Sequence, residues 1–510
     1  MHRCWDIAEL VRAIFDDLDP DSYYCDEDDI PTHVATLLHL AQTCRQFTEP
    51  ALDLIWREHS GLSNVLKCLP ADAWSVCDNH FKINSPLRPE DWDRALYHSK
   101  RIRKFVDMDP DITLDTSTLT AITSLPASTL LPNVQRMSLH CSVPIFPHIM
   151  HIVGQRIVDV AIILDDPSLH FSALEPLAFP NRVLNHLAIE CYAASRDFAH
   201  ELIPPFVLEM NDLRVLQVAS LNQLACQHIS TFSNMYHLWV RDLTEIPFPD
   251  PLSDQHTPFP ALTHLNMHTS DITFGTNFIE VLQAAPLVHL SVGSTQNCDL
   301  SNAASLFSAV YTATLPSHLD SLSISMEEDN TIVRASPAIY TMPADMIHPL
   351  TGYVNLRFVS LQCPIFARLD DSMMDELARA WPYLERLFIA GHCRDFELET
   401  SHRTVESLVS LAHFCPRLDT LALIIDASRV PVGFYMGITH DRLRYWRPLE
   451  SRLGSAHRAA EYLWAVFPYV AIRTGDDEWA EVGTLIMELQ NNQTERCPSP
   501  LEPLDDLICF

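Results

Sequence analysis

Glycine is scarce in this chain, 11 in 510 residues. So thin a supply argues against phosphate-cradling loops, and no GxSxG, HExxH, Walker A or dinucleotide fingerprint occurs. Cysteine is sparse too. The 14 residues lie singly, as at Cys4, Cys44, Cys68, Cys141, Cys191, Cys226 and Cys363, which indicates reduced thiols and no disulfide framework. Positive charge is outweighed, 34 Lys and Arg against 66 Asp and Glu, for a net charge of -32. Such a balance repels phosphate backbones and anionic membranes. The densest basic run, Lys100, Arg101, Arg103 and Lys104, is flanked by Asp107, Asp109 and Asp111, so no nucleic-acid partner is expected. No stretch of about 18 apolar residues without charge is present, so no membrane partner is expected either. Asp6 and Glu9 precede any long apolar run, which excludes an ordinary secretory signal. The compartment expected is cytoplasmic or nuclear.

Catalytic constellations are also missing. His148 and His151 stand three apart in FPHIMHIVG, without a further ligand. No pair of carboxylates stands out as the acid–base couple that hydrolytic chemistry needs. The expectation is a protein that is not an enzyme, with no catalytic residue, no cofactor and no metal.

The chain opens with short helical patterns. Asp6 and Glu9 make a capping box, followed by the stripe Ile7, Leu10, Val11, Ile14, Phe15 and Leu18, which Asp19 and Pro20 end. An acidic insertion, DPDSYYCDEDDI, fills 19–31 and lacks the alternating spacing of a calcium loop. A second helix is expected from Thr32, presenting Val34, Leu37, Leu38, Ala41 and Cys44. A third is expected near Thr48, with Pro50 in its first turn and Ala51, Leu54 and Ile55 on its apolar face. So small a helical domain leaves aliphatic surface that a partner would cover.

The segments IAELVRAIFDDLD and LLHLAQTCRQFTEPALDLIW resemble an F-box, most of all the heads of F-box-like proteins of mushroom-forming fungi. Ile7, Leu10, Ile14, Phe15 and Leu18 match its first helix. Leu37, Leu40, Cys44, Arg45 and Phe47 match its second, and Ala51, Leu52, Ile55 and Trp56 its close. The resemblance implies docking on the Skp1 adaptor of a cullin–RING ubiquitin ligase through Leu10, Ile14, Phe15, Leu18, Leu37 and Leu40. It departs from the family in replacing the opening Leu-Pro by Cys4-Trp5 and in carrying the acidic insertion.

An LxxLxL pattern then recurs, as in Val134/Met137/Leu139, Leu213/Leu216/Val218, Leu287/Leu290/Val292, Leu356/Val359/Leu361 and Leu418/Leu421/Leu423. Steps run from 22 to 37 residues, with one of 50 that IVDVAIIL divides if Val158, Ala161 and Ile163 take the three places. Several are introduced by a proline, as in FPALTHL, WPYLERL and CPRLDTL, which suits a turn from helix to strand. Ser372 is placed to cap the helix opening MMDELARAW. The pattern is similar to leucine-rich repeats, though the family's ninth-position Asn or Cys is replaced by Ser142, Ser270, Thr295, Pro364 and Asp426. The fold expected is α/β: a small helical F-box-like head, then an irregular leucine-rich-repeat solenoid of short parallel strands. The head would also cover the exposed end of the first repeat.

The expected divisions are a head over 1–70, a helical linker and N-terminal cap over 71–130, the repeats over 131–440, and a C-terminal repeat or cap with a tail over 441–510. Loops are expected near 165–175, 245–258 and 326–348, and the tail from Gln490 is expected to start loose. On each strand the residues alternating with the buried pair face the concave side. His237, Trp239, Arg241, His264, Phe358, Arg386 and Phe388 are therefore the candidates for holding a protein substrate, aromatics with arginine being common anchors. A C-terminal segment or long loop packed across the same face is the alternative. Two functions remain open: a substrate-recognition adaptor of a Skp1–cullin–F-box ligase, or a protein-binding scaffold without ligase association.

Overall fold

The computed structural model describes residues 15, 30–107, 112–124, 129–140, 143, 146–164, 184–191, 196–243, 247–248, 257–283, 285–295, 300–326, 341–362, 365–366, 369–390, 403–431, 437–449 and 451–494. The chain divides into two compact units, Met1–Met235 and Tyr236–Phe510. The architecture is α/β, with long runs of parallel strands joined through helices.

In the first unit, helix α1 (Ile30–Thr43) is followed by α2 (Arg45–Ile55). The extended backbone of Cys44, at φ -158° and ψ 157°, separates them. Helix α2 thus begins three residues before the expected Thr48, and Pro50 lies inside it. Phe15, Leu37, Ala51 and Leu54 form the core of this head, with Leu40, Ala41, Phe47 and Ile55 packed on it. Six parallel strands come next: β1 (Glu58–Ser60), β2 (Lys104–Val106), β3 (Arg136–His140), β4 (Asp159–Leu164), β5 (His186–Cys191) and β6 (Val215–Leu221). They pair in that order.

Three expectations change here. The strand order starts at Glu58, well before residue 131. The segment 71–130, expected as helical, also holds a small sheet of Trp74–Cys77, His80–Ile83 and Thr113–Leu114. Its hairpin turns at Asp78 and Asn79, whose φ of 49° and 63° are those of a two-residue hairpin loop. In β4 the register is one residue from that read in IVDVAIIL. Val160 and Ile162 are buried, and Ala161 and Ile163 alternate with them. Both parities of that segment are apolar, so alternation alone does not choose between them.

The second unit continues with β7 (His237–Leu243), β8 (His264–Thr269), β9 (His289–Ser294), β10 (Ser321–Met326), β11 (Phe358–Gln362), β12 (Arg386–Ala390), β13 (Thr420–Leu423), β14 (Tyr445–Arg447) and β15 (Ala471–Ile472). All pair in parallel with their neighbours in that order. Leu238, Leu265, Leu290, Leu322, Val359, Leu387, Leu421 and Trp446 fall in one buried row across it. Each buried aliphatic side chain of this kind stabilises the fold by about 1.5 to 3 kcal/mol. Helix Ile272–Glu280 lies on this side: a Cβ on Gly275 would sit 3.3 Å from Val292 Cγ1 and 3.5 Å from Met267 Sδ.

The turn into each strand repeats at atomic detail. Thr263 O accepts from Val288 N and His289 N, Val288 O from Asp320 N and Ser321 N, and Asp320 O from Arg357 N and Phe358 N, all at 2.7–3.1 Å. Arg103, Gln135 and Val158 do the same in the first unit. Proline sets up this entry. The helical region is disfavoured for the residue before a proline, and helices Asp371–Ala380, Val405–Phe414 and Ala456–Val466 stop with Trp381, Cys415 and Phe467 as their C-caps. With proline second in the turn, the N–H groups of Leu384, Leu418 and Val470 reach the carbonyls of those three at 3.0–3.2 Å. Trp381, Cys415 and Phe467 are fully buried, and burial pushes the Cys415 thiol up to about 12, so it is inert packing.

Helix Asp371–Ala380 is capped by Asp370, whose side chain accepts from Met373 N at 3.0 Å, and not by Ser372. Asp371 instead reaches the next repeat. Its carboxylate accepts from Thr404 N (2.8 Å), Thr404 Oγ1 (2.8 Å), Ser407 N (3.1 Å) and Ser407 Oγ (2.5 Å).

The C-terminal part, expected as a repeat or cap, adds two strands and then a covering helix. Helix Asp477–Thr494 buries Trp479, Val482 and Ile486. Trp479 meets Trp446 edge-on at 5.2 Å and donates through Nε1 to Ser451 O at 2.8 Å. Gln490, expected to begin a loose tail, donates to Pro468 O and Val470 O at 3.1 and 3.2 Å within that helix. The tail beyond Thr494, the loop at 165–175 and nearly all of the insertion at 19–31 lie outside the described residues, as do parts of the loops at 245–258 and 326–348. No helix among the described residues is long and apolar enough to cross a membrane.

Candidate functional site

The seven candidate substrate contacts share one side of the second unit's strands. One row runs His237, His264, His289, Ser321, Phe358, Arg386, Thr420 and Tyr445. The next runs Trp239, Asn266, Ser291, Ser323, Ser360, Phe388, Ala422 and Arg447. Alternation puts them opposite the buried leucines. Trp239, Phe358 and Phe388 are half-buried and Arg386 is exposed.

Two anchors stand out. At β7 the Arg241 guanidinium lies over the Trp239 ring at 5.4 Å. At β11 and β12 the Arg386 guanidinium lies over Phe358 at 4.9 Å, and the Phe358 and Phe388 rings are 5.8 Å apart. Four strand spacings of about 4.8 Å separate them, roughly 19 Å. The serines of β9 and β10 form the floor between.

His237, His264 and His289 stack face to face, with centroids 5.7 and 5.9 Å apart and interplanar angles of 5° and 21°. Stacked faces do not converge their nitrogen lone pairs on one ion. His264 Nδ1 is 2.9 Å from Thr263 Oγ1, and His289 Nδ1 is 2.7 Å from Ser321 Oγ. Burial, and then the neighbouring His264, hold the His289 imidazole below its ordinary range. Among the described residues no group of three or more His, Cys, Asp or Glu could hold a metal ion.

Alternation also places Asn266 and His268 on this side, whereas sequence reasoning passed over Tyr445, Arg447 and Arg473. Asn266 Oδ1 is sealed from solvent without a donor among the described residues. The His268 ring occupies the space over Gly293, where a Cβ would fall 2.3 Å from Nδ1. Tyr445 and Arg447 extend the rows on β14, and Arg473 lies over Tyr445 at 4.2 Å. The three-residue strand of Tyr445 and Arg447 lacks the leucine pair that marked the others.

The docking candidates of the head are differently placed. Leu10, Ile14 and Leu18 lie outside the described residues. Phe15 and Leu37 are 3% and 0% exposed, inside the head's own core, and Leu40 is half-buried against it. Phe15 and Leu37 are therefore core residues and not open contacts. Leu38, on the outer side of α1, is 45% exposed.

The basic run around residue 100 clamps this head. The Arg101 side chain is 5% exposed, and its guanidinium bonds Glu49 Oε2 at 2.5 Å and pairs with Asp53, both on α2. Tyr97 donates to Glu49 Oε1 at 2.5 Å and lies under Arg101 at 4.8 Å. The Tyr97 hydroxyl, then Arg101, hold the Glu49 carboxyl below its ordinary range. Trp56 stacks on His98 at 4.6 Å.

A Ser–His couple also occurs. His200 Nδ1 is 2.5 Å from Ser220 Oγ, but Ser220 is 1% exposed, so its oxygen has no substrate to meet. No protein family matches the sequence, and no curated protein matches it.

Proposed function

We propose that this protein is a non-catalytic adaptor: its repeats form a leucine-rich-repeat-like solenoid that holds a protein substrate on the β7–β15 side. In the same reading the helical head engages Skp1, and through it a cullin, as a substrate-recognition subunit of a Skp1–cullin–F-box ligase. The observation that carries the reading is the register. It aligns two aromatic–arginine anchors on one side of nine parallel strands. A ligase-independent scaffold is the second reading, favoured by the burial of Phe15 and Leu37 within the head.

Co-purification of the intact chain with Skp1 separates the two. The first reading expects a stoichiometric complex that Leu38→Glu abolishes without unfolding the head. Substitution of Phe15 or Leu37 is a poor probe, because it removes core packing along with any contact. A folded chain that does not retain Skp1 would leave the scaffold alone.

A further inference from the structure

The strands of the second unit distribute charge in a way the whole chain does not. In a chain with 66 acids to 34 Lys and Arg, the positions of β8–β15 that alternate with the buried row include Arg386 and Arg447 and not one Asp or Glu. In β7 the register shifts between Val240 and Leu243, so Arg241 and Asp242 both stand opposite His268, and Asp320, Glu385 and Asp419 stand one residue before their strands. Elsewhere arginines find carboxylates: Arg357 bonds Glu385 at 2.7 Å and Arg379 bonds Asp375 at 2.6 Å. Arg386 and Arg447 are exposed and pair with no carboxylate of the described residues. Arg386 rests on Phe358 instead. An aromatic face orients a guanidinium without neutralising it.

Accepting the reading that this side holds a protein, we infer that its occupant is an acidic, extended peptide segment of a partner protein. Carboxylates of the segment would meet Arg386 and Arg447, and its apolar side chains would pack on Trp239, Phe358 and Phe388. The roughly 19 Å between anchors is spanned by about six extended residues. A nucleic acid is the other polyanion, but the chain's charge of -32 opposes it over any long track.

Panning a random-peptide display library on the full-length chain tests this. Enriched sequences should carry an excess of Asp and Glu interleaved with apolar residues. Arg386→Ala should weaken an enriched acidic clone by about tenfold. Arg386→Glu with Arg447→Glu should turn the enriched pool basic, with the thermal midpoint unchanged. Neutral or basic pools from the unaltered chain would overturn the inference, as would no enrichment at all from a chain that still retains Skp1. Displacement of acidic clones by short oligothymidylate at comparable concentration would overturn it in favour of a general polyanion site. Acidic pools from a chain that does not retain Skp1 would support it while removing the ligase assignment.

Discussion

Asp371 supplies the sharpest test of how neighbouring repeats hold each other. It opens one helix yet spends its carboxylate on Thr404 and Ser407 of the next, through four hydrogen bonds of 2.5–3.1 Å. Ser407 is 0% exposed, so water does not readily replace the carboxylate at its hydroxyl. Ser407 N keeps a second acceptor in Thr404 O at 3.2 Å, which limits the loss there. Counting the Thr404 N and Ser407 Oγ bonds as charge-assisted, at about 1.5 kcal/mol each, Asp371→Ala should cost about 3 kcal/mol. That corresponds to a factor of about 150 in the opening equilibrium. Asp370, which only caps its own helix, should cost about 1 kcal/mol as Asp370→Ala. Hydrogen exchange of the amides in 403–414, read by mass spectrometry, reports the local opening directly. Faster exchange of this helix in Asp371→Ala, with Asp370→Ala loosening 371–380 instead, is the expected pair of results. If Asp371→Ala perturbs 403–414 no more than Asp370→Ala does, the cross-repeat cap is wrong.

Two further outcomes are expected from the geometry. Arg101→Met should cost about 1 kcal/mol and Arg101→Ala more, because Glu49 and Asp53 are 59% and 62% exposed and rehydrate when the guanidinium is lost. Limited proteolysis between 44 and 57 should quicken in both, and unchanged cleavage would refute the clamp. Burial first of all holds His98, His186 and His289 below the ordinary value of 6.5. The unfolded chain therefore takes up protons before the folded one does. Stability from these groups is complete above about 6.5 and is lost as pH falls toward the lowered folded values. The thermal midpoint should drop between about pH 7.5 and 5.5, less so in His289→Asn, and a rise on acidification would refute it.

The parallel strands were legible because leucine at the fourth and sixth places survives changes in everything between. Their ends were not. Strands β2 and β14 each bury one large residue, Phe105 or Trp446, where the pattern looks for two. The cap of Asp371–Ala380 lies two residues before the Ser372 that the pattern favours, since Asp370, Asp371 and Ser372 are all competent caps. Packing of Leu369, Met374, Leu377 and Ala378 fixes the helix start. The face residues could be read from alternation, whereas the Arg101 clamp spans 48 and 52 residues of sequence and leaves no periodic trace.

Where a strand entry carries the two-N–H carbonyl, alignment is counted afresh at that repeat. Residues added or removed between a strand's exit and the next buried pre-proline side chain leave the later rows in place, whereas one residue inserted between that side chain and the strand would throw its leucines outward. Repeat steps that vary from 22 to 37 residues are thus unequal lengths hung on a fixed ruler. Insertions there can be gained or lost without displacing the binding rows.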